Sequence, residues 1–253
     1  MSAAPAMDHL LQLIADVAAK KAALDRLRPL SPRALDNLDH ALDLELTYTS
    51  NAIEGNTLTQ IETNLVIEKG VTIGGKSLKD HLEAIDHYEA VGFVRELSGR
   101  AAPLAEADIR SLHALVVRRS DPDIAGGYAR TGRYVNTDRG RHIFPSPAEI
   151  PALMGDFAAW LRDAPASPDT AFAAHRRLVE IHPFADGNGR TARLLMNLAL
   201  IKAGYPPVSV RPEDRLRYLK ALQDAADDFE VLLYERLDAA LAEYLRALGE
   251  AIP

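Results

Sequence analysis

Apolar residues recur at helical spacing along nearly the whole chain, and this periodicity restricts the fold more than any other feature of the sequence. In residues 9–27, one helical face carries Leu10, Leu13, Ile14, Val17 and Leu24. The same spacing predicts helices at residues 34–53, 59–69, 77–97, 106–118, 148–162, 170–181, 188–203, 214–226 and 231–248. Residues 133–144 differ, because their Gly, Arg, Tyr and Thr content predicts a small hairpin around residues 138–140. The predicted fold class is therefore all-α with one β-hairpin.

Length and charge narrow the class of protein. With 253 residues and 47% hydrophobic content, the chain can form one sizeable core or two tightly merged subdomains. We expect an N-terminal helical region over residues 1–100 and a core with C-terminal helices over residues 101–253, merged into one globular unit. The formal charge of −7 disfavours an extended nucleic-acid interface, although it permits a local anion site.

Cysteine content and hydropathy indicate the cellular compartment in which the protein is expected. The sequence has no cysteine, which excludes disulfides and thiolate metal sites and permits a reducing compartment. No apolar run approaches the roughly 18 to 20 residues that a bilayer crossing needs. Residues 1–8 lack the basic flank of a signal peptide. We expect a cytoplasmic protein without a membrane partner.

The clearest chemistry lies in the segment His182-Pro-Phe-Ala-Asp-Gly-Asn-Gly-Arg-Thr-Ala-Arg193, between two predicted helices. Gly187 and Gly189 let the backbone approach a ligand closely. They open a helix whose first amide hydrogens have no internal partner, and the helix dipole favours an anion at that place. Asn188 is predicted to add a side-chain donor there. The turn therefore predicts a phosphate site.

The charged side chains beside this turn suit a nucleoside triphosphate. Arg190 and Arg193 are three residues apart, so they share a helix face and are predicted to clamp phosphates. Asp186 is a hard oxygen ligand of the kind that holds Mg²⁺ together with substrate phosphates. His182 can take a proton near neutral pH and act as general base towards a hydroxyl. The simplest alternative is a helix N-terminus that happens to hold a glycine turn.

The whole string resembles the signature of the Fic family: His, any residue, Phe, any residue, Asp or Glu, Gly-Asn-Gly-Arg, two residues, Arg. Every fixed position is met. The resemblance implies a compact helical Fic fold and a protein adenylyltransferase that moves AMP from ATP to a hydroxyl of a target protein. It implies that His182 is the base and that Asp186 holds Mg²⁺. The implied ATP-binding residues are Gly187, Asn188, Gly189, Arg190, Thr191, Ala192 and Arg193.

A second segment, Ser50-Asn-Ala-Ile-Glu-Gly-Asn56, resembles the inhibitory motif of Fic proteins that carry an N-terminal inhibitory helix, here residues 34–56. The resemblance implies that Glu54 pairs with Arg193 and draws it away from the γ-phosphate, so that ATP is bound unproductively. Ser50 and Asn56 are the outer positions of the motif. The alternative is that Glu54 is an exposed carboxylate at a helix end.

Two more elements have family counterparts. The hairpin at residues 133–144 resembles the Fic flap, which implies that a target segment is held there by strand addition. Arg133, Arg139 and Arg141 would favour an acidic target, while an ordinary hairpin with a solvated charged edge is the alternative. Tyr218 is expected against the adenine, with a core or surface tyrosine as the alternative, because residues 225–229 lack the family's Asn-x-Gly-Asp.

Other interpretations compete with an adenylyltransferase. Residues 70–77 match the P-loop pattern G-x-x-x-x-G-K-[ST], but the preceding residues 61–69 are a poor strand. An inert Fic-fold binding module would usually have lost the base or the metal ligand, and both are intact here. A de-AMPylase or another Fic phosphate-ester transferase would use the same His182 and Asp186.

The expected partners follow from this interpretation. They are ATP and an unidentified target protein on the flap, and the resemblance leaves a homodimer open. Many relatives of this class continue into a DNA-binding tail, and we expect none here because the chain ends at Pro253.

Outside the motif, His81 and His87 are six residues apart and share no ligand face, and His113 is isolated, so these histidines predict no functional role.

Overall fold

The computed structural model describes residues 3–28, 32–137, 140–223, 227–250 and 252, and within these ranges the chain is helical apart from one hairpin and short connections. The helices are α1 (Ala3–Arg26), α2 (Pro32–Ile53), α3 (Gln60–Lys69), α4 (Leu78–Ser98), α5 (Glu106–Val116), α6 (Ile150–Asp163), α7 (Pro168–Ile181), α8 (Asn188–Lys202), α9 (Arg215–Gln223) and α10 (Asp227–Ala247). The strands are β1 (Tyr134–Thr137) and β2 (Gly140–Ile143). The predicted class, all-α with one β-hairpin, is confirmed.

Local capping explains why several helices begin and end where the sequence predicts. Thr59 caps α3, since its side chain accepts from the amide of Glu62 while the Glu62 carboxylate accepts from the amide of Thr59. Gly70 ends α3 in the left-handed region, at φ 63°. Ser77 then caps α4 by accepting from the amide of Asp80.

The connection between α3 and α4 is not a P-loop. A helix precedes the Gly70–Ser77 turn, where a P-loop needs a buried strand. Lys76, the residue that would contact phosphates, instead donates to the carbonyl of Thr57 and lies 3.4 Å from Glu62. The P-loop alternative is therefore wrong, because the resemblance to its pattern arises from two helix caps joined by a glycine turn.

Two large hydrophobic clusters form most of the interior of the described residues, and a small third one contains Leu58, Val66 and Ala84. In the first, α1 and α10 pack together with the ends of α2 and α9. In the second, α8 packs against α4, α5 and α7. Helix α2 contributes to both, since Ile53 lies in the first cluster and Leu46 in the second. The C-terminus of α2 is therefore held close to α8.

The hairpin stands apart from both clusters. Its strands pair antiparallel, with Tyr134 opposite Ile143 and Thr137 opposite Gly140. Nearly all of its residues are exposed, including Ile143 at 72%. The tip, with Arg139, lies outside the described residues. Across the ranges that the structure covers, no helix has the combination of length and apolar character that a bilayer crossing requires.

Candidate active site

The predicted base stands at a sharp reversal of the chain between α7 and α8. His182 follows the last residue of α7 in the left-handed region, with φ 49° and ψ 56°, and its amide donates to Leu178 O at 2.9 Å. Among the described non-glycine residues, His182 alone has a positive φ. This conformation costs of the order of 1–3 kcal/mol and is found mainly at functional sites, where the surrounding structure imposes it.

The environment of the His182 ring sets its protonation state. Nδ1 lies 3.2 Å from Val179 O, and because a carbonyl only accepts, Nδ1 carries the proton and the lone pair is on Nε2. The ring of Phe144, at the end of the hairpin, stacks on the imidazole at 3.8 Å and 11°. Burial lowers the pKa of His182 to about 4, and the charge of Arg133 acts in the same direction. At neutral pH the ring is neutral, as a general base must be.

Asn188 closes the loop between His182 and α8. Its Nδ2 donates to Phe184 O at 2.8 Å, and its Oδ1 accepts from Phe184 N at 2.9 Å. Both ends of this buried amide are thus bound to the loop itself, and donation from the Asn188 side chain to a ligand stays a prediction. As the first residue of α8, Asn188 still supplies one of the backbone amides that lack a partner within the helix.

Thr191 and Ala192, two further predicted ATP-binding residues, face the core. Both are fully buried, and the amide of Thr191 donates to Gly187 O at 2.9 Å. Their side chains are therefore not available to a nucleotide, because residues in the second turn of α8 point into its contacts with α4 and α5. The backbone amides that lack a partner within the helix are those of its first turn.

Asp186 has the exposure and position of a metal ligand. Its side chain is 53% exposed, Oδ1 accepts from Gly187 N at 2.6 Å, and Oδ2 lies 3.4 Å from Arg190 Nη2. Among the described residues, no group of three or more His, Asp or Glu side chains could hold a metal by itself. A single open carboxylate beside a helix N-terminus fits Mg²⁺ that arrives with nucleotide phosphates and completes its ligand shell with phosphate oxygens and water.

Arg190 contacts two carboxylates in this structure, and its role as a phosphate clamp stays a prediction. Its guanidinium is buried, with Nη1 3.2 Å from Glu83 Oε1 on α4 in addition to the contact with Asp186. Glu83 also accepts from Asn56 Nδ2 at 3.1 Å, and thereby joins Arg190 to the last residue of the inhibitory motif. Nothing in the sequence points to Glu83, because this ion pair joins helices that meet only in the tertiary fold.

Arg193 and Glu54 form the ion pair that the second motif implied. Arg193 Nη2 lies 2.7 Å from Glu54 Oε1 and also donates to Ser50 O at 2.9 Å. Arg193 Nε donates to Ser50 Oγ at 2.9 Å. Arg193 is only 4% exposed, so these acceptors on α2 and the following turn satisfy most of a buried guanidinium.

The carboxylate of Glu54 lies directly over the first turn of α8. A Cβ atom placed on Gly189 would collide with Glu54 Oε1 and would lie 3.1 Å from Arg193 Nη1. Glycine at this position therefore makes room for a negatively charged group against the helix backbone. In this structure the group is the side chain of Glu54.

Tyr218 lies in the core and not against an open nucleotide surface. It is 1% exposed, accepts from Arg193 Nη1 at 3.3 Å, and its hydroxyl lies 2.8 Å from His175 Nε2. An adenine needs an accessible ring face for stacking, so the burial of Tyr218 favours the alternative of a core tyrosine, and the adenine contact stays a prediction. The sequence could not separate these alternatives, because Tyr218 occupies an amphipathic helix in both.

Two arginines of the hairpin lie in the described residues, and each makes a contact nearby. Arg133 Nη2 donates to Pro145 O at 2.6 Å, and the guanidinium of Arg141 lies 4.1 Å from the centre of the Tyr134 ring. These contacts support the shape of the hairpin. A charged surface for acidic targets stays a prediction.

Comparison with known proteins points to the same family as the sequence signature. The Fic/DOC family pattern matches residues 103–200. The "Protein adenylyltransferase Fic" of Nematostella vectensis is 35% identical over 234 residues, which are 83% of this chain and 54% of that protein. The protein of the same name from Drosophila melanogaster is 38% identical over 180 residues, which are 70% of this chain and 36% of that protein. The chain thus spans about half or less of these curated relatives.

Solved structures of Fic proteins are similar to this chain over nearly its whole length. A Fic domain containing signaling protein from Bacteroides thetaiotaomicron has a TM-score of 0.79 and 31% identity, and the match covers 97% of this chain and 98% of that one. A fragment of Fic-1 from C. elegans has a TM-score of 0.81 and 30% identity, with 96% and 73% covered. On the signature, the fold and these likenesses together, the chain belongs to the Fic/DOC family.

Proposed function

We propose that this chain is a protein adenylyltransferase, which transfers AMP from ATP to a hydroxyl of a target protein and rests in a state inhibited by Glu54. The observation that carries the proposal is a neutral imidazole, with its lone pair on Nε2, on the loop that leads into a glycine-lined helix N-terminus. The names of relatives at 35% and 38% identity support the same activity.

The triphosphate would bind where Glu54 now lies. The unpartnered amides of the first turn of α8 and the open space over Gly189 suit phosphate oxygens. Because two negative charges repel each other there, the Glu54 carboxylate has to leave before ATP binds productively. Its departure releases Arg193 Nη2, which can then pair with a phosphate.

Asp186 would hold Mg²⁺ in this complex. When bound, the ion neutralises charge on the phosphate oxygens and fixes their orientation. The half-exposed carboxylate is suitably placed, because the amide of Gly187 already orients its Oδ1. The same carboxylate would compete with the phosphates for Arg190 if the metal were missing.

His182 would perform the proton transfer. As the acceptor oxygen forms its bond to the α-phosphorus, its proton passes to His182 Nε2, and the bond from the α-phosphorus to the bridging oxygen breaks to release pyrophosphate. The Nδ1–H bond to Val179 O keeps Nε2 directed at the acceptor and stabilises the imidazolium that forms. The backbone amides at the start of α8 meet the charge that develops on the transferred group.

The hairpin would present the acceptor. Its two strands pair only with each other among the described elements, and both are exposed, so an extended target segment can add to an edge through backbone hydrogen bonds. Phe144 stacks directly on His182, which fixes the end of β2 against the base. A target paired along β2 is thereby carried to within reach of Nε2.

The test is auto-modification or target modification by the released enzyme. The Glu54→Gly variant is incubated with Mg²⁺ and each of ATP, GTP and CTP, and the added mass is read by intact-protein mass spectrometry. We expect an adduct of the mass of AMP with ATP, and none when His182→Ala is added. An adduct of another mass would replace AMP by another transferred group, and no adduct with any donor would refute the transferase.

A further inference from the structure

His113 on α5 lies beneath the loop that joins α7 to α8, and its side chain is fully buried. Its two ring nitrogens contact two different backbone groups. Nδ1 accepts from the amide of Gly126 at 3.0 Å, and Nε2 lies 3.0 Å from the carbonyl oxygen of Asp186. Since an amide only donates and a carbonyl only accepts, the neutral ring carries its proton on Nε2 and donates it to Asp186.

The same ring fills the space under the loop. It stacks on Phe184 at 3.7 Å with an angle of 1° between the planes. Gly187, at φ 75°, fits so closely over it that an added Cβ would lie 3.3 Å from His113 Nε2 and 3.1 Å from Val117 Cγ1. The backbone from Phe184 to Gly187 therefore rests on His113 through one hydrogen bond and close packing on both sides.

Residues 126–129, which lead towards the hairpin, are held against His113 and the loop above it. Gly126, at φ 65°, approaches α5 so closely that an added Cβ would lie 3.1 Å from Arg110 O, which explains how its amide reaches Nδ1. Three residues later, the amide of Ala129 donates to Pro183 O at 2.9 Å. His113 thus lies between two backbone segments, one leading to the hairpin and one carrying Asp186.

We propose that His113 is a positioning residue, which fixes the backbone of Asp186 and thereby sets the affinity of the site for a divalent cation bound together with nucleotide. The inference rests on the proposed function for the role of Asp186. Groups that orient metal ligands through hydrogen bonds typically change metal affinity by about 10- to 100-fold when they are removed. A ring that only fills space would have no such effect.

The chain offers a matched control in His81 on α4. It is also buried, accepts from the amide of Ile73 at 2.8 Å, and has its other nitrogen 2.7 Å from Ser77 O. It therefore makes the same pair of backbone contacts, but to the connection between α3 and α4. The variants His113→Phe and His81→Phe each keep an aromatic ring and lose two hydrogen bonds.

Two further variants separate the two contacts of His113. The amide nitrogen of glutamine can take the place of Nε2 and donate to Asp186 O, whereas the shorter asparagine can supply only an acceptor in place of Nδ1. All variants are made in the Glu54→Gly chain. The binding of Mn²⁺ in the presence of α,β-methylene-ATP, which cannot transfer AMP, is measured by electron paramagnetic resonance, and thermal unfolding is measured alongside.

We expect both phenylalanine variants to lower the melting temperature, and only His113→Phe to weaken Mn²⁺ binding, by roughly tenfold or more. His113→Gln restores most of the affinity and His113→Asn does not, a comparison that holds even if His113→Phe does not fold. Equal Mn²⁺ affinity in the glutamine and asparagine variants, or equal weakening by His81→Phe, would overturn the inference. Failure of the proposed function is a separate result, because it appears as the absence of an AMP adduct in the parent Glu54→Gly chain.

Discussion

Replacing Glu54 by glutamine separates the two ways in which this side chain can inhibit. Glu54 makes an ion pair with Arg193 at 2.7 Å, and it also fills the space over Gly189. Glutamine keeps the volume and one carbonyl acceptor but removes the negative charge. Glycine removes both. The two variants therefore measure the charge alone and the charge together with the volume.

The size of the charge effect follows from the burial of the pair. Arg193 is 4% exposed at its side chain and Glu54 39%, so the pair lies between the surface and interior cases. Surface pairs contribute about 0–1 kcal/mol, and breaking a buried pair costs about 3–5 kcal/mol. For the Glu54–Arg193 pair we take an intermediate value of roughly 1.5–2 kcal/mol. Since about 1.4 kcal/mol corresponds to a factor of ten, loss of the charge should shift the equilibrium towards the released state by roughly 10- to 30-fold.

The assay is the initial rate of auto-modification with labelled ATP and Mg²⁺. We expect Glu54→Gln to be roughly tenfold faster than the native chain and slower than Glu54→Gly, which also opens the space over Gly189. Glu68→Gln is a matched control, because the Glu68 side chain is also 39% exposed and lies 3.2 Å from a basic partner, His40. We expect Glu68→Gln to leave the rate unchanged.

Three possible rates of these variants would each refute part of this reasoning. If Glu54→Gln is as slow as the native chain while Glu54→Gly is fast, the volume of the side chain inhibits and the ion pair with Arg193 does not. If the two variants are equally fast, the ion pair is the whole effect and the space over Gly189 is irrelevant. A rise in the rate of Glu68→Gln would mean that lost surface charge, in general, activates the enzyme.

Three other outcomes are expected. Burial lowers the pKa of His182 to about 4, so the rate of auto-modification by Glu54→Gly should be level from pH 8 to about pH 5. Below about pH 5 the rate should fall, because the base is protonated. A fall centred on the ordinary pKa of histidine would contradict this. Burial lowers the pKa values of His87 and His175 to about 3, so between this value and about pH 6.5 the unfolded chain binds protons that the folded chain does not. Each should therefore cost about 2 kcal/mol of unfolding free energy at pH 5 relative to pH 7.5, as measured by urea denaturation, and His87→Leu should make the measured loss smaller by about 2 kcal/mol. Lys76→Ala should leave ATP affinity unchanged in isothermal titration, and loss of binding would restore the P-loop interpretation.

The sequence predicts the elements of this fold well, because their limits are set locally. The third predicted helix, residues 59–69, differs from α3 by one residue, since Thr59 and Gly70 are caps that act on their immediate neighbours. The hairpin is similarly local, because two short strands joined by a tight turn need no distant partner.

The contacts of the candidate site are predicted from the sequence only in part. The Glu54–Arg193 pair follows from two motifs that resemble a family, and spacing alone would not have joined residues so far apart in the chain. Arg190 is predicted to face a ligand, yet in this structure its guanidinium also contacts Glu83 on another helix, a pairing that spacing does not reveal. A sequence shows which polar groups a segment carries, but which of them the interior uses is decided by packing between helices.

The attachment of α2 to the interior determines how the inhibition can be relieved. The last residue of the helix, Ile53, is buried in the first hydrophobic cluster, and its carbonyl accepts from Arg215 Nε at 2.7 Å. To remove the whole helix from α8 would expose that cluster, an event on the scale of partial unfolding. Rotation of the Glu54 side chain about its own bonds requires no such opening and takes place within nanoseconds in exposed residues. On the proposed function, the inhibited state therefore depends on the rotamer of the Glu54 side chain on a fixed helix, and a regulator needs only to bind this carboxylate at the surface.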